Sequence, residues 1–389
     1  MLIKRCGLKM GKKTREYQIC TNCVMDTSDS VIKFDKNGVC DHCNNFYENI
    51  KPNWDFGEDG RKRLNKLVEQ IKKDGKGKKY DCVMGLSGGM DSSYLLYYAV
   101  EVLALRPLVL SVDTGWNTKV ADRNIDNLVK GLGIELLKIK IDKEEMADLQ
   151  LAFFKSQVAY QDLPQDHVIF ASLYNYAVKN KIKHVLTGGN FSTECIREPI
   201  EWVYQNDIKM IKDIHKKFGT SKLKKLPMTS MFKYKIYYRY FKGMKVHRPL
   251  DLIPYTKKDA LDTLTGRFEY EPYANKHFES IFTRFYEGYW LVKKFGFDKR
   301  RAHFSSLILT NQLSREDALN VLANPPYSEA QALEDMKFIT NKMNITESEF
   351  IELMNGQNKT YKDYKNSSKF IALGVKIAQL LGKEKRQYR

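Results

Sequence analysis

No apolar run in this sequence is longer than about eight residues, too short to span a bilayer, and the N-terminal stretch MLIKRCGLKMGKK carries charges without a continuous apolar core. A cytoplasmic protein with no membrane insertion is expected. Internal repeats and low-complexity segments are absent. With 43% hydrophobic residues over 389 positions, the chain has enough apolar material for two packed domains and a small appendage. Cysteines are few, seven in all, and none sits in a nucleophile-elbow motif, which argues against a built-in glutaminase with a Cys, His, Glu triad. The most informative absence is a lysine. From Met84 to Ser93 the sequence reads MGLSGGMDSS, a Gly- and Ser-rich turn after an apolar run, yet Asp91 stands near where a Walker loop has its Lys. That lysine stabilises transfer of a γ-phosphoryl group, so its loss withdraws support from γ transfer.

What is present falls into three parts. Cys20, Cys23, Cys40 and Cys43 form two C-x-x-C pairs, with VIKFD expected as a strand and KNG as a turn between them. In a reducing compartment this spacing reads as four thiolates around one structural Zn²⁺, with no coordination position left for chemistry. His42 lies between two of these ligands and is not expected to be one. Residues 1–50 make this zinc-ribbon module. Residues 51–270 then alternate strands and helices: Leu64, Leu67, Val68 and Ile71 mark a first helix, and YDCVMGL, RPLVLSVDTG, IELLKIKID and KHVLTGGN mark strands separated by helices such as SYLLYYAVEVLAL. Polar loops at the strand C-termini indicate a doubly wound parallel α/β sheet with ligands at that edge. Residues 271–389 read as helical, with N-caps at Ser314, Ser328 and Thr346.

Formal net charge is +18, and between Lys209 and Lys245 twelve Lys or Arg face a single acid, Asp213, with Phe232, Tyr234, Tyr237, Tyr238, Tyr240 and Phe241 interleaved. This basic, aromatic insertion, 205–245, fits a nucleic-acid surface, a docking face for an anionic molecule or acidic partner, or a solvated Lys-rich helix.

Gly88 and Gly89 let backbone N–H groups approach phosphate oxygens at a helix N-terminus, and Ser87, Ser92 and Ser93 add donors. If ATP is split between its α and β phosphates, such a loop holds the departing pyrophosphate, and Asp91 helps hold Mg²⁺. SGGMDSS, followed by SVDTG at the next strand end and LTGGN two strands later, resembles the PP-loop ATP pyrophosphatases, a HUP-like fold whose members adenylate a carbonyl oxygen for replacement by nitrogen or sulfur. ICTNCVMD with GVCDHC, TGGNFSTE, HRPLDLIPYTKKDA and KKFGFDKRRAHFSSLILTNQLSREDAL resemble the N-acetyl sugar amidotransferases of bacterial surface-polysaccharide (lipopolysaccharide O-antigen and capsule) biosynthesis over nearly the whole chain.

That resemblance implies an ATP-dependent carbon–nitrogen ligase that converts a sugar N-acetyl group to an acetamidino group, with ATP and catalytic Mg²⁺ beside the structural Zn²⁺. Ser87, Gly88, Gly89, Asp91 and Ser92 match the pyrophosphate loop. Asp113 stands where related enzymes approach the nucleoside, or is a strand-end turn carboxylate. Gly188, Gly189 and Asn190 look like a second loop near the α-phosphate, and Asp91, Ser92, Asn190, Glu194 and Arg197 are the residues expected to be catalytic. Glu194 and Arg197 are candidates for Mg²⁺, ammonia and nucleotide contacts, or for a surface salt bridge. Arg248, Lys299, Arg300, Arg301 and His303 are candidates for the anionic groups of a nucleotide-sugar substrate. Ammonia is expected from a separate glutaminase subunit, paired with a cyclase-like subunit. The rival reading is a PP-loop enzyme that modifies tRNA by thiolation or amide formation. Its sulfur chemistry needs a cysteine near the loop, where Cys82 is expected to be buried in its strand and Cys195 is the remaining candidate, and binding to nucleic acid is not expected.

Overall fold

Hydrophobic periodicity accounts for most of the element order in the computed structural model, which describes residues 15–204 and 206–380; Cys6 lies outside them. Helices α1 (Asp41–Asn45) and α2 (Glu58–Asp74) precede strand β1 (Cys82–Gly85). Then come α3 (Met90–Tyr97), β2 (Pro107–Asp113), α4 (Lys119–Leu132), β3 (Leu136–Lys140), α5 (Lys143–Lys155) and α6 (Leu163–Lys179). They are followed by β4 (His184–Leu186), α7 (Phe191–Glu194), α8 (Ile208–Phe218), β5 (Lys245–His247) and α9 (Lys257–Phe268). The rest is helical: α10 (Ile281–Phe285), α11 (Arg300–Leu309), α12 (Arg315–Leu322), α13 (Glu329–Met343), α14 (Glu347–Asn355) and α15 (Ser368–Leu380).

Local chemistry sets the ends of these helices. Thr118 caps α4 by accepting from the Ala121 N–H, and Gly133 ends it in the left-handed region at φ 62°. Ser314, Ser328 and Thr346 each accept from the backbone N–H three residues on, and Thr346 with Glu349 forms a full capping box. Two expectations are corrected. VIKFD is no strand: only Phe34 bridges to Cys40, because the chain folds straight back through a turn closed by Asp35 and Val39 to return Cys40 to the other cysteines. The helix after the phosphate loop is α-helical only to Tyr97, then winds as a π-helix over Tyr98–Val102.

The five strands are all parallel, in the order β3-β2-β1-β4-β5. Strand order reverses at β1, so the loops after β1 and β4 flank the switch point where doubly wound sheets bind ligands. Both faces are covered, as a parallel sheet requires. Val83, Leu110 and Val185 pack on Leu173 and Ala177 of α6, while Met84, Val109 and Leu186 pack with Leu95, Leu96, Ile125, Leu128 and Leu264. Each such fully buried side chain contributes about 1.5–3 kcal/mol of transfer free energy.

A third core joins the helical C-terminal region to the sheet domain. Phe154 of α5 meets Trp290 with ring centroids 4.6 Å apart and Phe350 at 4.9 Å, and Phe282 and Phe285 complete the group. This packing lays the segment between α9 and α10 over the C-terminal edge of the sheet. The four-cysteine module is tied to the same body. Arg315 donates to the carbonyls of Cys20 and Cys23, Arg301 pairs with Asp26 at 3.0 Å, and the Val24 N–H donates to Ser305 Oγ.

Gly188 packs against the start of α3: a Cβ there would stand 2.9 Å from the Asp91 carbonyl carbon and the Ser92 nitrogen. Gly188→Ala is expected to destabilise the fold by about 1–3 kcal/mol and to weaken nucleotide binding, read by thermal unfolding and ATP titration. Gly266→Ala in α9, where a Cβ meets open space, is expected to be neutral or to stabilise by up to about 1 kcal/mol.

Candidate active site

The phosphate-type loop runs from the end of β1 to the start of α3. Gly88 adopts φ +81°, and a Cβ there would lie 2.8 Å from the Ala121 carbonyl oxygen, so this turn needs glycine. Ser87 Oγ lies 3.3 Å from Ser92 Oγ and accepts from the Gly89 N–H. Both serines thus sit at the mouth of the loop, beside the positive end of α3.

The segment between α9 and α10 clamps this loop. The hydroxyls of Tyr270 and Tyr273 both donate to the Gly88 carbonyl, and Ser87 Oγ donates to Glu279 Oε1 at 3.3 Å. From the same segment Lys276 places its ammonium 2.9 Å from Asp91 Oδ2 and 2.6 Å from Glu194 Oε1. Tyr255 donates to the other Asp91 oxygen at 2.5 Å. The lysine missing from the loop's own sequence is therefore delivered in space, from 185 residues further along. Burial alone would lower the Lys276 pKa, but the carboxylates of Asp91 and Glu194 outweigh it and hold the ammonium above the ordinary lysine range. Burial likewise opposes ionisation of Asp91, and Lys276 with Tyr255 reverses it, so Asp91 is held below its usual value.

The second loop, Thr187 to Asn190, lies against the first through Gly188. Asn190 is fully buried and positions that loop: its side chain caps α7 by accepting from the Thr193 N–H and donates to the Gly188 carbonyl. Arg248 donates to the Gly189 carbonyl, pairs with Asp251 at 2.9 Å and lies 4.5 Å from the Phe191 ring centroid. Arg197 follows α7 and is exposed. Asp113 stands at the end of β2, where its carboxylate accepts from the Gly115 N–H at 2.7 Å, a turn-forming contact.

Beyond Lys276 the cleft continues into a mixed charge cluster. His277, itself at φ 65°, reaches Glu287 at 3.2 Å, and Lys299 bridges Glu287 at 2.5 Å and Glu198 at 3.0 Å. His303 meets His277 edge to face with centroids 5.5 Å apart. On α6, Asp162 accepts from Thr283, and Asp166 lies one turn further. Asp166 keeps an exposed side chain, yet the protein packed around it raises its carboxyl to about 6 despite Lys299 and His277; desolvation with the neighbouring Asp166 and Glu287 raises Asp162 well above its usual value. Burial would lower His277, yet Glu287 raises it to about 9; burial and the adjacent His277 drive His303 well below its ordinary value. Of the sequence candidates for an anionic substrate, Lys299, Arg300 and His303 line this cleft. Arg300 is held by Asp298 and by the carbonyls of Val321 and Asn324, and Arg301 serves the cysteine module.

Sequence reasoning missed Tyr255, Lys276, His277, Glu279 and Glu287. The stretch NKHFES carried a signal, a Lys, a His and a Glu at the junction between the sheet domain and the helical region, but only the fold brings it to the loop.

The four cysteine sulfurs lie within 4.8 Å of one another and are buried, with Sγ separations of 3.6, 3.7 and 3.9 Å. Bonds of about 2.3 Å to a tetrahedral Zn²⁺ require edges of about 3.8 Å, so the set fits a single ion. The N–H groups of Asn22, Cys23, Met25 and Cys40 point at these sulfurs, which favours thiolates. His42 instead binds Asp29 at 2.8 Å. Outside the cluster, Cys82 and Cys195 are both buried with thiols shifted upward by that burial, Cys195 to about 12.

Residues 61–197, which contain both loops, match the NAD synthase family. Together with the parallel sheet and its switch-point loops, this defines a PP-loop ATP pyrophosphatase-type domain. Residues 279–378 match a second family, the LPS biosynthesis protein WbpG-like C-terminal domain. The chain thus joins a region that matches the NAD synthase family, of PP-loop ATP pyrophosphatase type, to a region that matches the WbpG-like C-terminal domain. An uncharacterised protein of Methanocaldococcus jannaschii is 25% identical over 199 residues, 50% of this chain, and the chain spans 65% of that relative's length. Among solved structures, NMN synthetase from Francisella tularensis is 17% identical, with 73% of this chain and 93% of that one covered and a TM-score of 0.31. NH3-dependent NAD synthetase from Campylobacter jejuni is 18% identical, covering 69% and 99%, TM-score 0.29. The U34-tRNA thiolase NcsA from Methanococcus maripaludis, solved with its 4Fe–4S cluster, is 14% identical, covering 73% and 80%, TM-score 0.32.

A histidine raised in the folded state stabilises the fold fully below its unfolded pKa of about 6.5 and loses that contribution as pH rises through its folded value. His277 is therefore expected to titrate near pH 9 by NMR, with stability falling across that range, while His303 stays neutral well below pH 6.5. In Glu287→Gln the high midpoint should disappear. A zinc chelator is expected to release one equivalent of metal from the wild type and none from Cys23→Ser; retention of metal by that variant would mean the four sulfurs are not the site.

Proposed function

We propose that the protein is an ATP-dependent, AMP-forming carbon–nitrogen ligase that turns an N-acetyl group of a sugar, carried on a nucleotide-activated diacetamido sugar, into an acetamidino group for surface-polysaccharide biosynthesis. One observation carries the reading: the two family-matched regions meet on a single loop, Ser87 and Asp91 coming from the first and Glu279 from the second, with Lys276 between them. A WbpG-like region that completes an ATP-type loop supports an ATP-dependent step in the chemistry of that pathway.

An amide is a poor electrophile, so its carbonyl oxygen first attacks the α-phosphorus of ATP. The bond to the bridging oxygen breaks and pyrophosphate leaves, giving an O-adenylyl imidate. Ammonia adds to the imidate carbon, the C–O bond breaks with AMP as leaving group, and one proton passes to a base in the cleft. Ser87, Ser92 and the N-terminus of α3 hold the pyrophosphate, while Lys276 supplies the positive charge that a Walker loop takes from its own lysine. Hard carboxylate oxygens suit Mg²⁺, and Asp91 and Glu194 would hold it, neutralising triphosphate charge. No covalent nucleophile is required, only positioning and exclusion of water.

The neutral amide becomes a cationic amidine. Glu287 is held ionised in the adjoining cleft beside Lys299 and His277, and Asp162, Asp166 and Glu279 stand near it as carboxyls raised toward neutrality, groups that can ionise against a product that gains positive charge. Asp166, its carboxyl raised to about 6, is our candidate for the base that takes the proton. Neither Cys82 nor Cys195 has the exposed, lowered thiol that sulfur transfer or glutamine hydrolysis needs. Ammonia then comes from a separate glutaminase subunit, with its cyclase-like companion, or from solution.

With ATP, ammonium and a panel of diacetamido sugar nucleotides, AMP, pyrophosphate and a sugar with NH in place of oxygen are expected by mass spectrometry. AMP with an unchanged sugar would sink the acceptor; no AMP with any acceptor would sink the ligase. Lys276→Met is expected to slow AMP formation by about 10²–10³-fold. Asp91→Ala should abolish AMP formation while the chain stays folded.

A further inference from the structure

The basic, aromatic insertion takes no part in the site described above. Its last part is a built platform. Over Lys233–Phe241 the backbone winds as a π-helix. Two side chains anchor its inner face on α6: Tyr234 stacks on Tyr174 with centroids 4.8 Å apart and planes 2° from parallel, and the buried Tyr238 donates to Asn175. Opposite these anchors the helix shows large apolar side chains to solvent. Phe232 is 68% exposed, Tyr240 70% and Phe241 74%, and Ile236 and Tyr237 are exposed with them.

The winding explains why these residues form one stripe. In a π-helix the hydrogen bonds run from i to i+5, and Phe232, Ile236 or Tyr237, and Tyr240 or Phe241 recur at intervals of four and five. The same repeat sets Lys233 and Lys242 along one flank and Lys235 and Arg239 along the other. All four are exposed, and none has a carboxylate partner among the described residues. Lys242 lies 5.4 Å from the Tyr237 ring centroid and Arg239 5.7 Å from that of Tyr240, so cations and rings share one surface.

We propose that this face is a membrane-surface anchor: the aromatic stripe of Phe232, Ile236, Tyr237, Tyr240 and Phe241 enters the headgroup region of a bilayer rich in anionic lipid, and the flanking Lys and Arg bind the phosphates. Charge complementarity selects this occupant. The face has four unpaired cations and no acid, and the whole stretch from Lys209 to Lys245 holds one acid against twelve cations. Shape selects it too. A helix packed on α6 with its outer face in solvent meets a planar surface without needing a matching cavity, whereas bases of single-stranded RNA stack in grooves lined by rings on a sheet or barrel. Tyrosine, with an apolar ring and a polar tip, suits the boundary between acyl chain and headgroup. No helix among the described residues is long and apolar enough to cross the bilayer, so the association is peripheral and reversible.

The test is flotation of the full-length protein with vesicles of phosphatidylcholine alone or with about one third phosphatidylglycerol, at rising salt. Binding is expected only to the anionic vesicles, weakening with salt and reduced at least tenfold in Phe232→Ser/Tyr240→Ser/Phe241→Ser and in Lys235→Glu/Arg239→Glu. Both variants should keep the wild-type melting temperature and rate of AMP formation, because Tyr234 and Tyr238 remain. The proposal is overturned if wild type fails to float with anionic vesicles. It is also overturned if both variants float as wild type does, or if binding survives in them and is lost when residues 368–380 are removed. Tight retention of RNA by this face, abolished by the same substitutions and unaffected by excess anionic vesicles, would overturn it in favour of nucleic acid.

Discussion

The contact between Lys276 and Asp91 is the constraint on which the arrangement of the site depends. A carboxylate in a phosphate-type loop, next to the positive end of a helix, is costly to bury and repels the polyanion the loop is shaped to receive. Lys276 removes that conflict, and because it also pairs with Glu194 it draws the loops after β1 and β4 onto one cation. Everything that delivers Lys276 becomes part of the site. Tyr270 and Tyr273 fix its segment to the Gly88 carbonyl, and the aromatic core of Phe154, Phe282, Trp290 and Phe350 holds the following helices against the sheet domain.

This arrangement brings the helical region into contact with the loop itself. The region that matches WbpG-like proteins begins at Glu279, which touches Ser87, and continues through Glu287, Lys299 and His303, which line the cleft beside the loop. A PP-loop domain alone offers phosphate recognition. The added helices place a carboxylate-rich cleft beside it. The cysteine module supports the opposite side: its core includes Cys195 and Ile196, just beyond α7, and Ala302 and Leu309 of α11, so it braces the helix that carries Glu194.

Specific residues show how far sequence reading reached. Alternation of strand and helix, the two glycine loops and the paired cysteines depend on local spacing, and all were legible. So were the three helix caps, each a bond to a backbone N–H three residues away. VIKFD was misread because a strand needs a partner, and the partner is a property of the tertiary path. Arg300 and Arg301 looked available for a substrate, since nothing local tells a free guanidinium from one spent on Asp298 or Asp26. Asn190 was read as a catalytic side chain, whereas it is fully buried with its amide spent on the Thr193 N–H and the Gly188 carbonyl, a role that local sequence does not distinguish from chemistry.

By itself the sequence determined the class of fold, the position of the phosphate loop and the grouping of four thiols, because each depends on residues within a few positions of one another. The tertiary structure decided the charge balance of the loop, the identity of its lysine and the composition of the cleft, because electrostatic energy depends on distance in space. Asp91 and Lys276 are 185 positions apart in the chain and 2.9 Å apart in the molecule.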